Sequence, residues 1–310
     1  MTGSLQSGLQ IKLFQTFEVS LDGRPVAKFE ADTARALLAY LALQPGAAVK
    51  RETLAALLWD AQDTAGALTN LRSALRRVRT ALDTNGDEGQ APRVEYIIAD
   101  RATLTFNPGA PAWIDVLVFE QRLAEVRHHP HTTVEECPQC IARLHEAAAL
   151  HCGAFLADVA IDTQGFREWR RIEGERLQRL AMSTLYTLGE HAFRTGAFGE
   201  AEAIARRQLN IESWNEEAHR QLMRVLFASG RRTAALAQFE SCRKTLAEEL
   251  GIDPDDETQT LYLRLLAGES PTPRVVGDSP YKGLSPFGPR DSDVFFGRNA
   301  VTQQIHAAVA

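Results

Sequence analysis

Gly196 and Gly230 stand 34 residues apart, and so do Ala201 and Ala235. Each glycine closes one helix-patterned stretch and opens another: Leu185, Leu188 and Ala192 lead into the first, Leu222, Leu226 and Ala228 into the second. A chain with this period must stack helix pairs, because one pair alone cannot bury its apolar stripe, and the spacing is that of tetratricopeptide-type repeats. "WNEEAHRQL" and "DPDDETQTL" begin the next helices, with Asn215 or Asp253 as the expected N-cap. The outer helix of the second unit is expected to be longer than that of the first. Stacked pairs of this kind present a concave surface to protein partners.

The first third of the chain has a different rhythm. Ile11 and Leu13, then Phe17, Val19 and Leu21, alternate as strands do, and Asp22-Gly23 is a hairpin turn. "TARALLAYLAL" has helical spacing at Ala34, Leu37, Leu38 and Leu41 and stops at Pro45-Gly46; "KRETLAALLW" is a second helix with Leu54, Leu57 and Leu58 inward. In the third, "ALTNLRSALRRVRTALD", Leu68, Leu71, Leu75, Val78 and Leu82 recur at three and four residues. After the polar "NGDEGQAP", the segments "VEYII" and "ATLTF" flank Ala99-Asp100-Arg101 as a second hairpin. The order is sheet, three helices, hairpin.

Charge picks out the third helix. The protein carries a formal net charge of −6, and residues 1–110 hold twelve basic and twelve acidic residues, so the chain as a whole would not steer toward a polyanion. Yet no acidic residue stands between Thr64 and Leu82, where Arg72, Arg76, Arg77 and Arg79 gather. With the leucine stripe inward, Thr69, Arg72, Ser73, Arg76 and Thr80 line the outer face, and Asn70, Arg77 and Arg79 its margins. Arginine reaches phosphates and guanine edges, and Asn or Ser reaches base edges. A helix held on two others and followed by a hairpin is how winged helix-turn-helix proteins enter a major groove, with Arg101 near the wing tip facing a phosphate or the minor groove. Taken alone, such a helix is more often a solvated basic face; the surrounding elements favour the DNA-reading alternative.

On these residues positions 9 to about 106 resemble the winged-helix domain of the Streptomyces antibiotic regulatory protein family, carried by "FEVSLDGRPV", "TARALLAYLAL", "VKRETLAALLW" and "ALTNLRSALRRVRTAL". The wing departs from the family pattern, reading "ADRATLTFN" in place of a Gly-Tyr-containing strand. Further on, "HEAAALHCGAFLADVAIDTQGFREWRRIEGERLQRL" and "LAEELGIDPDDETQTLY" resemble the bacterial transcriptional activator domain that follows the winged helix in that family. The resemblance implies a transcriptional activator that binds double-stranded DNA through its third helix. It also implies contact with RNA polymerase through the winged-helix or helical region, and dimerisation with a second copy.

"HHPHTTVEECPQC" is a separate candidate. His129, His131, Cys137 and Cys140 offer two nitrogen and two sulfur donors, the set for a structural tetrahedral zinc, provided the five residues between His131 and Cys137 fold back. The alternative is a polar connecting loop with two small cysteines at a helix start. No strand precedes Cys137-Pro-Gln-Cys140 as a thioredoxin-like unit requires. The four cysteines, Cys152 and Cys242 included, are too few and too uneven for a disulfide framework. Gly-x-Ser-x-Gly, His-Glu-x-x-His and Gly-Lys-Ser/Thr do not occur, so the chain reads as a non-enzyme requiring no cofactor. Trp59, Trp113, Trp169 and Trp214 read as core or interface residues.

The expected fold is mainly α with a small β component: a winged helix-turn-helix over residues 1–110, then an all-α tetratricopeptide-like domain over 111–267. "GESPTPRVVGDSP", residues 268–280, reads as a linker. Residues 281–310 resemble the entry segment of signal-transduction ATPases with numerous domains, where Phe295-Phe296-Gly297-Arg298 leads into the first helix, and they stop before a phosphate-binding loop. Without a signal-peptide pattern or a bilayer-length apolar run, the expected location is the cytoplasm and no membrane association is expected. The competing reading is a protein-interaction adaptor that uses the helical repeats and does not bind DNA.

Overall fold

The computed structural model describes residues 8–26, 29, 31–60, 64–82 and 94–269; the linker from residue 270 and the ATPase-like segment lie outside them. Strands β1 (Leu9–Lys12) and β2 (Glu18–Leu21) pair antiparallel with Ile11 opposite Val19, and β3 (Arg24–Pro25) extends the sheet. Asp22 and Gly23 both take positive φ, 49° and 76°, the signature of the two-residue turn whose twist suits a hairpin. The other side of β1 takes β7 (Ala112–Ile114) in parallel, giving the order β3-β2-β1-β7.

Helices α1 (Asp32–Ala42), α2 (Arg51–Leu58) and α3 (Thr64–Leu82) follow, with the short strand β4 (Val49–Lys50) before α2. β4 joins β5 (Ile97–Ala99) and β6 (Thr103–Phe106) in a three-stranded wing sheet of order β4-β6-β5. Two residues long, β4 carries too little pattern to be seen in sequence. The first wing strand, Ile97–Ala99, is shorter than "VEYII" suggests, and the Tyr96 carbonyl accepts from the Asn107 amide at 2.9 Å in register with it.

All remaining described elements are helical: α4 (Asp115–His128), a single 3-10 turn (Val134–Glu136), α5 (Pro138–Leu150), α6 (Gln164–Arg194), α7 (Phe198–Ile211), α8 (Glu216–Ala228), α9 (Arg232–Glu249) and α10 (Asp256–Ala267). Gly196 and Gly230 both sit at φ +76°. In each, the residue after the glycine donates its N–H five residues back, Ala197 to Ala192 at 2.8 Å and Arg231 to Leu226 at 2.9 Å. The 34-residue period is therefore one helix-ending motif used twice, at positions where a Cβ would be strained. The outer helices α7 and α9 have 14 and 18 residues, the second longer as the sequence indicates. Asn215 caps α8, but Asp255 caps α10 rather than Asp253, since its carboxylate meets the Thr258 amide at 2.7 Å. Trp59 and Trp169 pack on the core, whereas Trp214 is exposed.

The winged helix and the helical region share a core. One buried cluster runs from Leu9 through Leu188, and a smaller one, with Leu222, Leu226, Phe239 and Leu265, fills the repeats. At the joint, the Leu13 and Gln15 carbonyls accept from Leu156 at 2.8 Å and Ala157 at 3.0 Å, and Gln15 donates to Ala154 at 2.8 Å. Gln15 and Leu156 both take positive φ there, an uncommon conformation for side chains of their size. The Phe14 ring meets Phe119 edge-on at 5.6 Å and His151 at 4.9 Å. Arg35 ion-pairs with Asp158, and Thr163 donates to the Leu57 carbonyl at 2.7 Å.

Burial, reinforced by the Arg207 charge, lowers the His151 pKa to about 4. A histidine held neutral in the fold but near 6.5 when unfolded stabilises fully above the unfolded value. That contribution is lost as the pH falls toward the folded one. Urea denaturation should therefore lose about 2 kcal/mol through this residue between roughly pH 7.5 and 5, and His151→Phe should flatten that portion of the profile. An unchanged profile in the variant would show that His151 is not the titrating group.

Candidate nucleic-acid interface

The amphipathic sequence of α3 places its two faces unambiguously. Leu71, Leu75, Val78 and Leu82 are buried against α1 and α2, with Leu68 at the edge, and Thr69, Asn70, Arg72, Ser73, Arg76, Arg77, Arg79 and Thr80 are all exposed. Burial of the stripe fixes the rotation of the helix, so the arginines point outward by default. Among the described residues, no acidic side chain pairs with Arg72, Arg76, Arg77 or Arg101.

Between α3, the start of α2 and the wing lies an open cleft of about 590 Å³. Arg72, Arg76, Arg79 and Thr80 form one wall, Arg51 and Glu52 another, and Asp100 and Arg101 the wing side. Five arginines thus face two acidic residues, in a chain whose net charge is negative. Asp100 is spoken for: it accepts from the Thr103 hydroxyl at 2.7 Å and from the Ala102 and Thr103 amides at 2.7 and 2.6 Å, and these bonds hold its carboxyl below the ordinary range. Its charge closes the β5–β6 turn and leaves Arg101 exposed at the tip.

Two of the candidates have internal partners. Thr69 donates its hydroxyl to the Ala65 carbonyl at 2.9 Å, leaving only acceptor capacity outward. Arg79 pairs with Glu95 at 2.9 Å and donates to the Ile97 carbonyl at 3.1 Å, so it braces α3 against the wing. Arg51, which the sequence reading passed over, donates from Nε and Nη2 to the Asp100 carbonyl at 3.1 and 2.9 Å and ties α2 to the same turn. Its partner lies 49 residues away, and no local pattern announces the pairing.

The His/Cys residues lie elsewhere: His129, His131 and Cys137 in the loop between α4 and α5, and Cys140 in the first turn of α5. The 3-10 turn folds this loop back so that His129, Cys137 and Cys140 place donor atoms within 4.8 Å of one another. His131 Nδ1 stands 3.4 Å from Cys140 Sγ. Amides at the start of α5 and the Arg143 charge lower the Cys137 pKa, while burial raises that of Cys140.

Residues 31–98 match the model of the C-terminal domain of transcriptional regulatory proteins, and residues 114–266 that of the bacterial transcriptional activator domain. Regulatory protein DnrI of Streptomyces peucetius is 32% identical over 239 residues, which cover 76% of this chain and 84% of DnrI. The chain belongs to the Streptomyces antibiotic regulatory protein family. Regulatory protein AfsR of Streptomyces coelicolor is 28% identical over 240 residues, and its Streptomyces griseus counterpart 28% over 289 residues; the chain spans 22% and 27% of those longer proteins. Mycobacterium tuberculosis EmbR, solved in complex with a low-affinity phosphopeptide, shares the fold with a TM-score of 0.65 at 22% identity, covering 84% of this chain and 65% of that one.

This Streptomyces antibiotic regulatory protein family member is a transcriptional regulator, of mainly α fold with an N-terminal winged helix and a helical activator domain. Its matched regulatory region takes in α1 to α3 and ends at Ile98, before the turn that carries Arg101. Among the described residues, no helix is long and apolar enough to cross a membrane.

The brace role of Arg79 has a measurable consequence. Because the Arg79–Glu95 pair is exposed, Arg79→Ala should cost less than about 1 kcal/mol of global stability. Amide exchange in Ile97–Ala99 should nevertheless quicken, while exchange in α1 stays unchanged. Equal protection of the wing in both proteins would exclude the brace.

Proposed function

We propose that this regulator binds double-stranded DNA by laying the exposed face of α3 in the major groove, with the β5–β6 turn beside it on the backbone or minor groove. The observation that carries the reading is the absence, among the described residues, of any acidic partner for Arg72, Arg76, Arg77 and Arg101 around an open cleft. In this assignment Arg72 and Arg76 reach base edges or phosphates, Arg77 and Arg101 bind phosphates, and Asn70, Ser73 and Thr80 supply shorter polar contacts. Thr69 contributes an acceptor and Arg79 positions the wing. The fold and the family membership support this direction of docking.

The remaining parts of the proposal rest on the family. The bound regulator recruits RNA polymerase through the winged helix or the repeat face, and acts as a homodimer in the cytoplasm. It carries out no catalysis and needs no cofactor for DNA binding. The AfsR proteins are much longer, and this chain spans about a quarter of their length.

Selection from a random duplex pool supplies the site, and Arg72→Ala and Arg76→Ala then test the helix. Each variant should bind about 1–3 kcal/mol more weakly with an unaltered melting temperature. The logarithm of affinity should fall with the logarithm of salt by about 0.9 per phosphate contacted, and the slope should shrink when a phosphate-binding arginine is removed. Unchanged affinity in both variants would remove α3 from the interface. Absence of salt-dependent duplex binding would favour a protein-interaction adaptor instead.

A further inference from the structure

We propose that the junction of the α4–α5 loop with the start of α5 holds one structural zinc ion, ligated by His129, His131, Cys137 and Cys140. The spacing of the donor atoms carries the proposal. His129 Nδ1 lies 3.6 Å from Cys137 Sγ, and His131 Nδ1 lies 3.4 Å from Cys140 Sγ. Sulfur at about 2.3 Å and nitrogen at about 2.0–2.1 Å from one tetrahedral ion stand about 3.6 Å apart, so both observed edges fit. Three of the four donor atoms lie mutually within 4.8 Å; His131 stands outside that set but meets it at Cys140, and its ring stacks on that of His129 with centroids 5.9 Å apart.

The surroundings suit a metal better than a pair of thiol hydrogen bonds. His129 Nε2 lies 2.8 Å from Gln139 Oε1, an acceptor, so that nitrogen carries the hydrogen and Nδ1 keeps its lone pair turned toward the sulfurs. A ligand histidine whose other nitrogen donates to an oxygen is the usual outer-shell arrangement of zinc sites. Arg143, three residues beyond Cys140 on α5, has a buried Nη1 without a hydrogen-bond partner among the described residues. The donors also come from two separate places, the exit of α4 and the entry of α5, so one ion would clasp a loop that otherwise has little core of its own. That loop in turn holds α6, since the Glu135 carbonyl accepts from His191 Nδ1 at 2.6 Å. The proposal does not depend on how the protein reads DNA.

On binding, each cysteine gives its proton to solvent and donates a sulfur lone pair to Zn²⁺; no oxidant enters, and two thiolates neutralise the ion. Elemental analysis of the full chain purified without chelator should find about one zinc per molecule, and none in Cys137→Ser/Cys140→Ser. Stripping the wild type with a chelator should lower its melting temperature by several degrees, and zinc should restore it. Should the double variant fail to fold, cobalt(II) titrated into stripped wild-type protein still decides the matter. A thiolate-to-cobalt charge-transfer band with the intense visible bands of a tetrahedral ion, saturating at one equivalent, is expected. Metal-free protein that shows no such bands, or an intact mass two hydrogens short that reveals a Cys137–Cys140 disulfide, would overturn it.

Discussion

Asp115 is the point on which the two halves of the molecule are fastened. Its carboxyl, buried at the first residue of α4, accepts from Leu13 N at 2.8 Å, Phe14 N at 3.0 Å and Val116 N at 2.7 Å. Burial raises its pKa, and the amides of Phe14, Leu13 and Val116 oppose that shift. Without this acceptor, the N–H groups at the end of β1 would be buried and unpaired, each at a cost of about 1–3 kcal/mol. With it, β1 is held beside β7, the Phe14 ring reaches Phe119 and His151, and the strand's exit runs along residues 154–157. The winged helix is therefore not a bead on a string. Its sheet is continued by the strand that leads into the helical domain.

That fastening bears on function through orientation. α2 packs against α6 and, by the Thr163–Leu57 bond, is held at its last turn; α3 packs against α2. The arginine face of α3 is thereby fixed relative to the repeats. Under the proposed function, a groove-reading helix held in this way on the repeats would place a bound partner at a defined distance from the DNA site. A flexible linker could not do so.

Much of this was legible in the sequence because it depends on periodicity. The leucine stripe of α3 set which side chains are exposed, and the two glycines of the repeat marked where helices end. What escaped is what depends on distant partners. Arg79 belongs to the exposed face by its position, yet Glu95, sixteen residues on, turns it into a brace. Arg51 looked like a helix-start residue until the wing came to rest on it. Asp255 and Asp253 are equivalent caps on paper; the chain path after α9 and the Arg220 ion pair select Asp255. The two-residue β4 and the parallel pairing of β1 with β7 have no local signature, since their partners lie 53 to 55 and 103 residues away.

Guanine N7 methylation interference on a selected duplex tests most directly whether the outer face of α3 lies in a major groove. Methylation blocks the acceptor that an arginine fork would use in the major groove and leaves the minor-groove edge of guanine untouched. We expect binding to be lost at discrete guanines within each site, and the interference at one of them to disappear in Arg72→Ala or Arg76→Ala. Binding indifferent to N7 methylation at every guanine, with interference confined to adenine N3 in the minor groove, would contradict the account.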